Sequence, residues 1–186
     1  MPATASPMGI RVASHVSGDP RFIVMKDGIL SGYASNIFTG SPVQMFTDGT
    51  INVASGVNAP IFGIFAGCEF TQLDGMRRVL PYWPTGQVYQ VGTCLAKVVP
   101  INDPGAIFMG QTAATIAATA RGEGINLGAV SGSVQTGLSS QALTAATGAT
   151  AASFTILDLV QQPDNDWGDP FVWLYLQVQN KQGPVA

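Results

Sequence analysis

From Arg21 the chain runs as short apolar pieces cut by turn residues. In RFIVMKDGILSGYASNIFTGSPVQMFTDGTINVAS the cuts fall at Asp27-Gly28, Gly40-Ser41 and Asp48-Gly49, and another Asp-Gly follows at Asp74-Gly75. Asp-Gly supplies the positive backbone dihedrals of tight hairpins, so these pairs predict three chain reversals. Between them, PIFGIFAGCEF sets Ile61, Ile64, Phe65, Cys68 and Phe70 against Gly63, Ala66 and Gly67. Interior glycine weakens a strand unless a ring or a neighbouring backbone lies close over it, and Phe62, Tyr82 and Trp83 are the candidate cover. QVYQVGTCLAKVVPI, SFTILDLVQQ and FVWLYLQVQN read as further strands, rich in β-branched and aromatic residues. The last alternates Val172, Leu174, Leu176 and Val178 with Trp173, Tyr175, Gln177 and Gln179, which predicts one aliphatic face and one that is aromatic, then polar.

Two segments lack such a pattern. Residues 1–20 are rich in Ala, Ser, Pro and Gly and are expected to form an extended arm, either lying along its own domain or crossing to a neighbour. Residues 110–152 are Ala, Thr, Gly and Ser almost throughout. TAATIAATA has no apolar stripe to support a helix, so short strands around a Gly-rich loop are expected, with too little apolar volume for a separate core. The chain has no internal repeat and no second-domain boundary. The expectation is an all-β fold, an antiparallel β-barrel or jelly-roll-like sandwich, with an arm over 1–20, one β domain over 21–180 and a tail over 181–186.

Composition changes the picture of the surface. Charged residues make up 10% of the 186 residues while hydrophobic residues reach 46%, against a usual charged share of roughly 25%. A surface this neutral opposes association weakly and is suited to being covered by other proteins. The net charge of -3 and the scattered distribution of eight cations argue against nucleic-acid binding, which needs clustered Lys and Arg. No run approaches the roughly 20 apolar residues of a membrane-spanning helix, and the N-terminal stretch has no apolar core of signal-peptide length, so synthesis and use in an aqueous, cytoplasmic setting are expected. Cys68 and Cys94 are too few and too widely spaced for a disulfide framework and are expected to be small buried hydrophobes.

Candidate chemistry is sparse. His15 is the sole histidine, and with no Ser, Cys or carboxylate in a catalytic pattern beside it, a solvent or interface role fits better than that of a general base. Cys68 and Glu69 are adjacent on one strand and point to opposite faces, with Glu69 exposed or paired to Arg77 or Arg78. In PDNDWGDP, Asp164, Asp166 and Asp169 could offer oxygens to calcium, yet the other ligands of a calcium loop are missing and the composition is that of a turn. RGEG (121–124) and GAVSGSVQTG lack the lysine and the strand-to-helix setting of a phosphate loop. No cofactor, metal site or catalytic residue is expected. Arg77 and Arg78 near a hairpin tip have two readings, plain solubility of the tip or contact with an acidic protein partner.

Three stretches resemble a known family: PIFGIFAGCEF running into MRRVLPYWPTG, NDPGAIFMGQ, and FTILDLVQQPDNDWGDPFVWLYLQVQN. Over roughly residues 22–180 the chain is similar to the capsid decoration or cement proteins of tailed bacteriophages, head-stabilising proteins of podovirus-like and cyanophage-like viruses. The FAGCEF and PYWP combination carries the likeness; residues 110–152 match in character more than in letters, and the N-terminal arm is longer. The resemblance implies an all-β module without catalytic residues, made in the host cytoplasm and bound to the outer surface of the virion capsid. It further implies bridging of neighbouring major capsid protein subunits as a small homo-oligomer, a trimer or dimer, with no nucleic-acid or membrane partner.

The residues expected at that interface are Arg11, Arg21, Arg77, Arg78, Tyr82 and Trp83, because buried aromatic and Arg side chains are the usual anchors of interfaces. An alternative is a carbohydrate-binding or host-adhesion module on the virion surface, using Tyr82, Trp83, Trp167 and Trp173 as stacking platforms. A hydrolase has only the carboxylates, such as Asp166, and Cys68 in its favour.

Overall fold

The computed structural model describes residues 4–15, 18, 21–101, 105–148 and 151–182. In chain order the strands are β1 (Arg11–His15), β2 (Ile23–Lys26), β3 (Ile37–Phe38), β4 (Pro42–Met45), β5 (Ile51–Val53), β6 (Gly63–Thr71) and β7 (Arg77–Leu80). They continue as β8 (Tyr82–Trp83), β9 (Leu95–Pro100), β10 (Ala106–Gln111), β11 (Gly124–Leu127), β12 (Leu143–Ala146), β13 (Phe154–Leu159) and β14 (Trp173–Val178). One 3-10 turn, Ala118–Ala120, precedes β11.

Two open sheets and a ribbon make the architecture. The first sheet has the order β2-β9-β6-β4-β5, with β7 beside the second half of β6; the second has the order β1-β10-β14-β13-β11-β12; β3 and β8 pair by themselves. The strand ladders are antiparallel. The fold is therefore all-β, as the alternation predicts, and it is a sandwich; neither sheet closes into a barrel.

β6 lies between two cores, which explains why PIFGIFAGCEF is apolar on both faces. Ile64 joins Phe108, Ile125, Phe154, Leu174 and Leu176 between the two sheets. Phe65, Cys68 and Phe70 instead join Ile29, Ile37, Trp83, Tyr89 and Val98 beneath the β3–β8 ribbon and its loops. The register shifts between Phe65 and Cys68, and Gly67 sits there at φ +112°, so a bulge places Phe65 and Cys68 in the same core. β14 follows its pattern: Val172, Leu174, Leu176 and Val178 are buried while Trp173 and Tyr175 are half-buried on the outer face.

Several expectations change. The described part of the N-terminal arm takes the first of its two expected courses, along its own domain, and there forms a strand: β1 pairs with β10, Ile10 is buried between the sheets, and Gln111 bonds Ser6 N–H and the Thr4 carbonyl. Its sequence hid this because a short edge strand is held by tertiary partners and shows no period of its own. Asp48-Gly49 and Asp74-Gly75 close hairpins, whereas Asp27-Gly28 ends β2 and sends the chain across the sheet to Ile51, whose N–H donates to the Gly28 carbonyl at 2.7 Å. Gly63 is covered by Val98 and Val99 of β9, not by rings; an added Cβ would lie 2.3 Å from Val98 Cγ1. The tail begins later than residue 181, since Lys181 bridges Ile61 and the Gln182 side chain accepts from Met45 N–H at 2.5 Å. Residues 183–186 lie outside the described residues.

The Ala/Thr/Gly segment is mostly coil around β11 and β12, and it adds Ile116, Ile125, Leu127 and Leu143 to the core between the sheets. One of its glycines has a contact reason. Gly132 lies against Phe38, where a Cβ would come within 2.2 Å of the ring, and Phe38 stacks on Tyr82 at 5.6 Å. Small residues let this loop lie flat on the ribbon.

Candidate functional site

The β6–β7 hairpin turns at Asp74, whose carboxylate accepts from Met76 N–H at 3.0 Å. Beyond the turn, β7 has one neighbour, β6, and its other edge pairs with no described strand. The register sets Val79 opposite Glu69 and Arg78 opposite Phe70. Glu69 accepts from Arg77 Nε at 2.7 Å, while Cys68 turns inward, so the two neighbours face opposite ways as the strand geometry requires. Arg78 Nε donates to Gln72 Oε1 at 3.0 Å, which leaves its charge without a carboxylate among the described residues. Leu73, Met76 and Val79 are 66%, 53% and 64% exposed, so this end of the molecule combines unburied apolar side chains with one unneutralised cation.

The other residues expected at an interface do not join this patch. Trp83 is fully buried, between Phe70 at 5.2 Å and Tyr89 at 5.8 Å. Tyr82 is half-buried against Phe38. Arg21 is exposed ahead of β2, on the opposite edge of the sheet from β7. Arg11, on edge strand β1, is half-buried beside a cleft between the sheets lined also by Val12, Thr39, Ala66 and Val99.

The four rings do not build a stacking platform either. Trp83 is inside, and the Trp167 ring is occupied by the Arg121 guanidinium at 5.2 Å, which also donates to Asp158 at 3.0 Å. Tyr82 and Trp83 read together as interface anchors because nothing in the four letters PYWP reveals that Phe70 and Tyr89 close over the indole.

PDNDWGDP is organised by Asn165. Its amide nitrogen donates to the Val160 and Trp173 carbonyls and its oxygen accepts from Trp173 N–H, each at 2.8 Å, so the loop locks β13 to β14. No group of three His, Cys, Asp or Glu side chains is arranged to hold a metal among the described residues.

Cys68 and Cys94 are buried and unpaired. Burial pushes the Cys68 thiol up to about 12 and the Cys94 thiol up to about 11. Both stay protonated in the native state above the ordinary thiol value of 9.0, where the unfolded chain loses its protons. Stability is then fully present below pH 9 and falls as pH rises through the native values. The expected result is a urea midpoint that is level up to about pH 8.5 and declines from there toward pH 11, with a shallower decline in Cys68→Ala/Cys94→Ala. A slope identical in the double variant would remove the thiols as its cause.

A second surface was not evident from the sequence. Leu30, Tyr33, Phe46, Asp48, Thr50, Ile51 and Asn52 line an open cleft of about 170 Å³. These residues come from the β2–β3 connection and the β4–β5 hairpin, so only the sheet crossing after Gly28 brings them together. The one local signal is an aromatic residue, Phe46, beside the Asp48-Gly49 turn.

No protein-family model, curated protein or solved structure matches this chain.

Proposed function

We propose that this chain is a structural protein of a tailed-bacteriophage virion. It decorates the outer surface of the capsid and cements it by bridging neighbouring major capsid subunits, acting by contact rather than by catalysis. Like the family its sequence resembles, it is made in the host cytoplasm and works on the head as a small homo-oligomer.

The observation that most supports this reading is the β6–β7 hairpin. Met76 stands exposed on the same face as Arg78, Val79 on the opposite face beside the Glu69–Arg77 pair, and Leu73 at the turn, on a strand whose outer edge is unpaired by any described strand. Exposed apolar side chains on a hairpin that also presents an Arg are in keeping with the composition of an interface. A free strand edge adds main-chain donors and acceptors for a partner strand. On a chain with 10% charged residues, little else keeps such a surface apart from a neutral partner. Modest contacts repeated around a shell favour the assembled state by mass action and avidity.

The test is co-sedimentation of the purified protein with emptied, undecorated heads. Saturable binding is expected. Arg78→Glu and Met76→Asp should each weaken it about tenfold or more while the urea midpoint stays within experimental error, because both side chains are exposed. Binding unchanged in both variants would remove the hairpin from the interface.

A further inference from the structure

We propose that the cleft between the β4–β5 hairpin and the Leu30–Tyr33 turn binds a neutral pyranose, giving the protein a carbohydrate-binding function separate from capsid attachment.

The lining divides into two kinds of surface. Leu30 and Phe46 are 54% and 43% exposed, and with the half-buried Tyr33 they offer an apolar wall. Asp48 and the half-buried Asn52 supply the polar groups. A pyranose has this same division, with C–H faces that rest on apolar rings and a rim of hydroxyls that both donate and accept.

The polar groups are set in place and available. Asp48 Oδ1 accepts from Thr50 N–H at 2.9 Å and Thr50 Oγ1 at 2.7 Å, which fixes the carboxylate and leaves Oδ2 without a described partner. Those bonds, the backbone one first, hold the carboxyl below its ordinary value, so it is an acceptor at neutral pH. The Asn52 side-chain amide is engaged by no described residue and offers both a donor and an acceptor. Tyr33 is steadied by its hydroxyl, which accepts from Val53 N–H at 3.4 Å. The site therefore stands on a hairpin and a buttressed ring, which suits precise positioning.

The chemistry narrows the ligand. The Asp48 carboxylate repels phosphate, sulfate and sialic acid. A wholly apolar side chain would cover the Asn52 amide without giving it a hydrogen bond, at a cost in desolvation. A neutral sugar avoids both, since vicinal hydroxyls can bridge Asp48 and Asn52 while the ring lies on Phe46.

The placement gives the site a use. The β4–β5 hairpin runs past the start of β6 and the β6–β7 turn past its end, because β4 and β7 pair with opposite halves of that strand. Nine residues of β6 separate the two by roughly 30 Å. A capsid held at one end would leave the cleft open at the other.

The test titrates methyl glycosides of glucose, galactose, mannose and N-acetylglucosamine, up to tens of millimolar, into the isotopically labelled free protein and follows amide shifts. Saturable shifts at Leu30, Phe46 and Asn52 with at least one glycoside are expected. Phe46→Ala and Asn52→Ala should each weaken that binding about tenfold, and Phe46→Tyr should retain it. The inference is overturned if no glycoside gives saturable shifts, if the alanine variants bind as the parent does, or if lysine methyl ester binds as tightly as the best sugar. The experiment uses no capsid, so its failure leaves the attachment reading standing, and the converse holds.

Discussion

Trp83→Ala is expected to lower stability by about 3–5 kcal/mol, the usual cost of truncating a large buried aromatic residue. Trp83 is fully buried on β8 and fills the core beneath the β3–β8 ribbon, with Phe70 tilted at 5.2 Å and Tyr89 edge-on at 5.8 Å. Its removal leaves a cavity that cannot collapse easily, because Ile37 is fixed opposite it by the β3 pairing and Phe70 by β6. The indole N–H has no acceptor among the described residues. A buried donor without a partner is itself unfavourable. Trp83→Phe, which keeps most of the volume and drops that donor, should therefore cost much less than Trp83→Ala. Urea unfolding with an unchanged slope measures both. Equal losses for the two variants would mean that cavity formation is not what the site resists; a loss below about 1 kcal/mol for alanine would contradict the burial.

Removal of residues 1–15 is expected to damage the fold and not merely attachment. Ile10 is buried between the sheets, its Cδ1 lying 2.7 Å from the position a Cβ would take on Gly110, and its N–H donates to the Gly40 carbonyl at 2.8 Å. Loss of an isoleucine of this kind costs about 2–5 kcal/mol by itself. The truncation also strips β10 of its outer partner and uncovers Gln111. Against a total of about 5–15 kcal/mol for a domain, the truncated protein should unfold at much lower urea or fail to fold. Ile10→Ala, with the strand kept, should show a large part of the loss. A truncated chain with the parent's midpoint would show that β1 is dispensable and return the arm to the role of a free extension.

These two results bear on what the sequence made legible. The alternation in β14 and the hairpins at Asp48-Gly49 and Asp74-Gly75 could be read directly, because each is a local pattern enforced by burial of one face or by turn chemistry; β6 could be read as a strand, but not that Ile61 and Ile64 part from Phe65, Cys68 and Phe70 into separate cores. β1 could not, since RVASH has no period and is held by Ile10 and β10. Gly132 could not either, because its neighbour Phe38 lies far away in the chain. The same limit governs the sites. Glu69 with Arg77 follows from strand parity and hairpin register, whereas the burial of Trp83 depends on Phe70 and Tyr89, from outside PYWP, closing over it. The cleft at Phe46 and Asn52 was hidden because Leu30 and Tyr33 reach it only after the chain crosses the sheet.

The proposal for function predicts a change in the shell itself. Emptied, undecorated heads should be heated in the presence and absence of saturating protein, and the fraction surviving followed against temperature. Decoration should raise the temperature at which half the shells are lost, and Arg78→Glu and Met76→Asp at the same concentration should forfeit most of that gain. Survival curves that coincide with and without the protein would contradict its role as a cement.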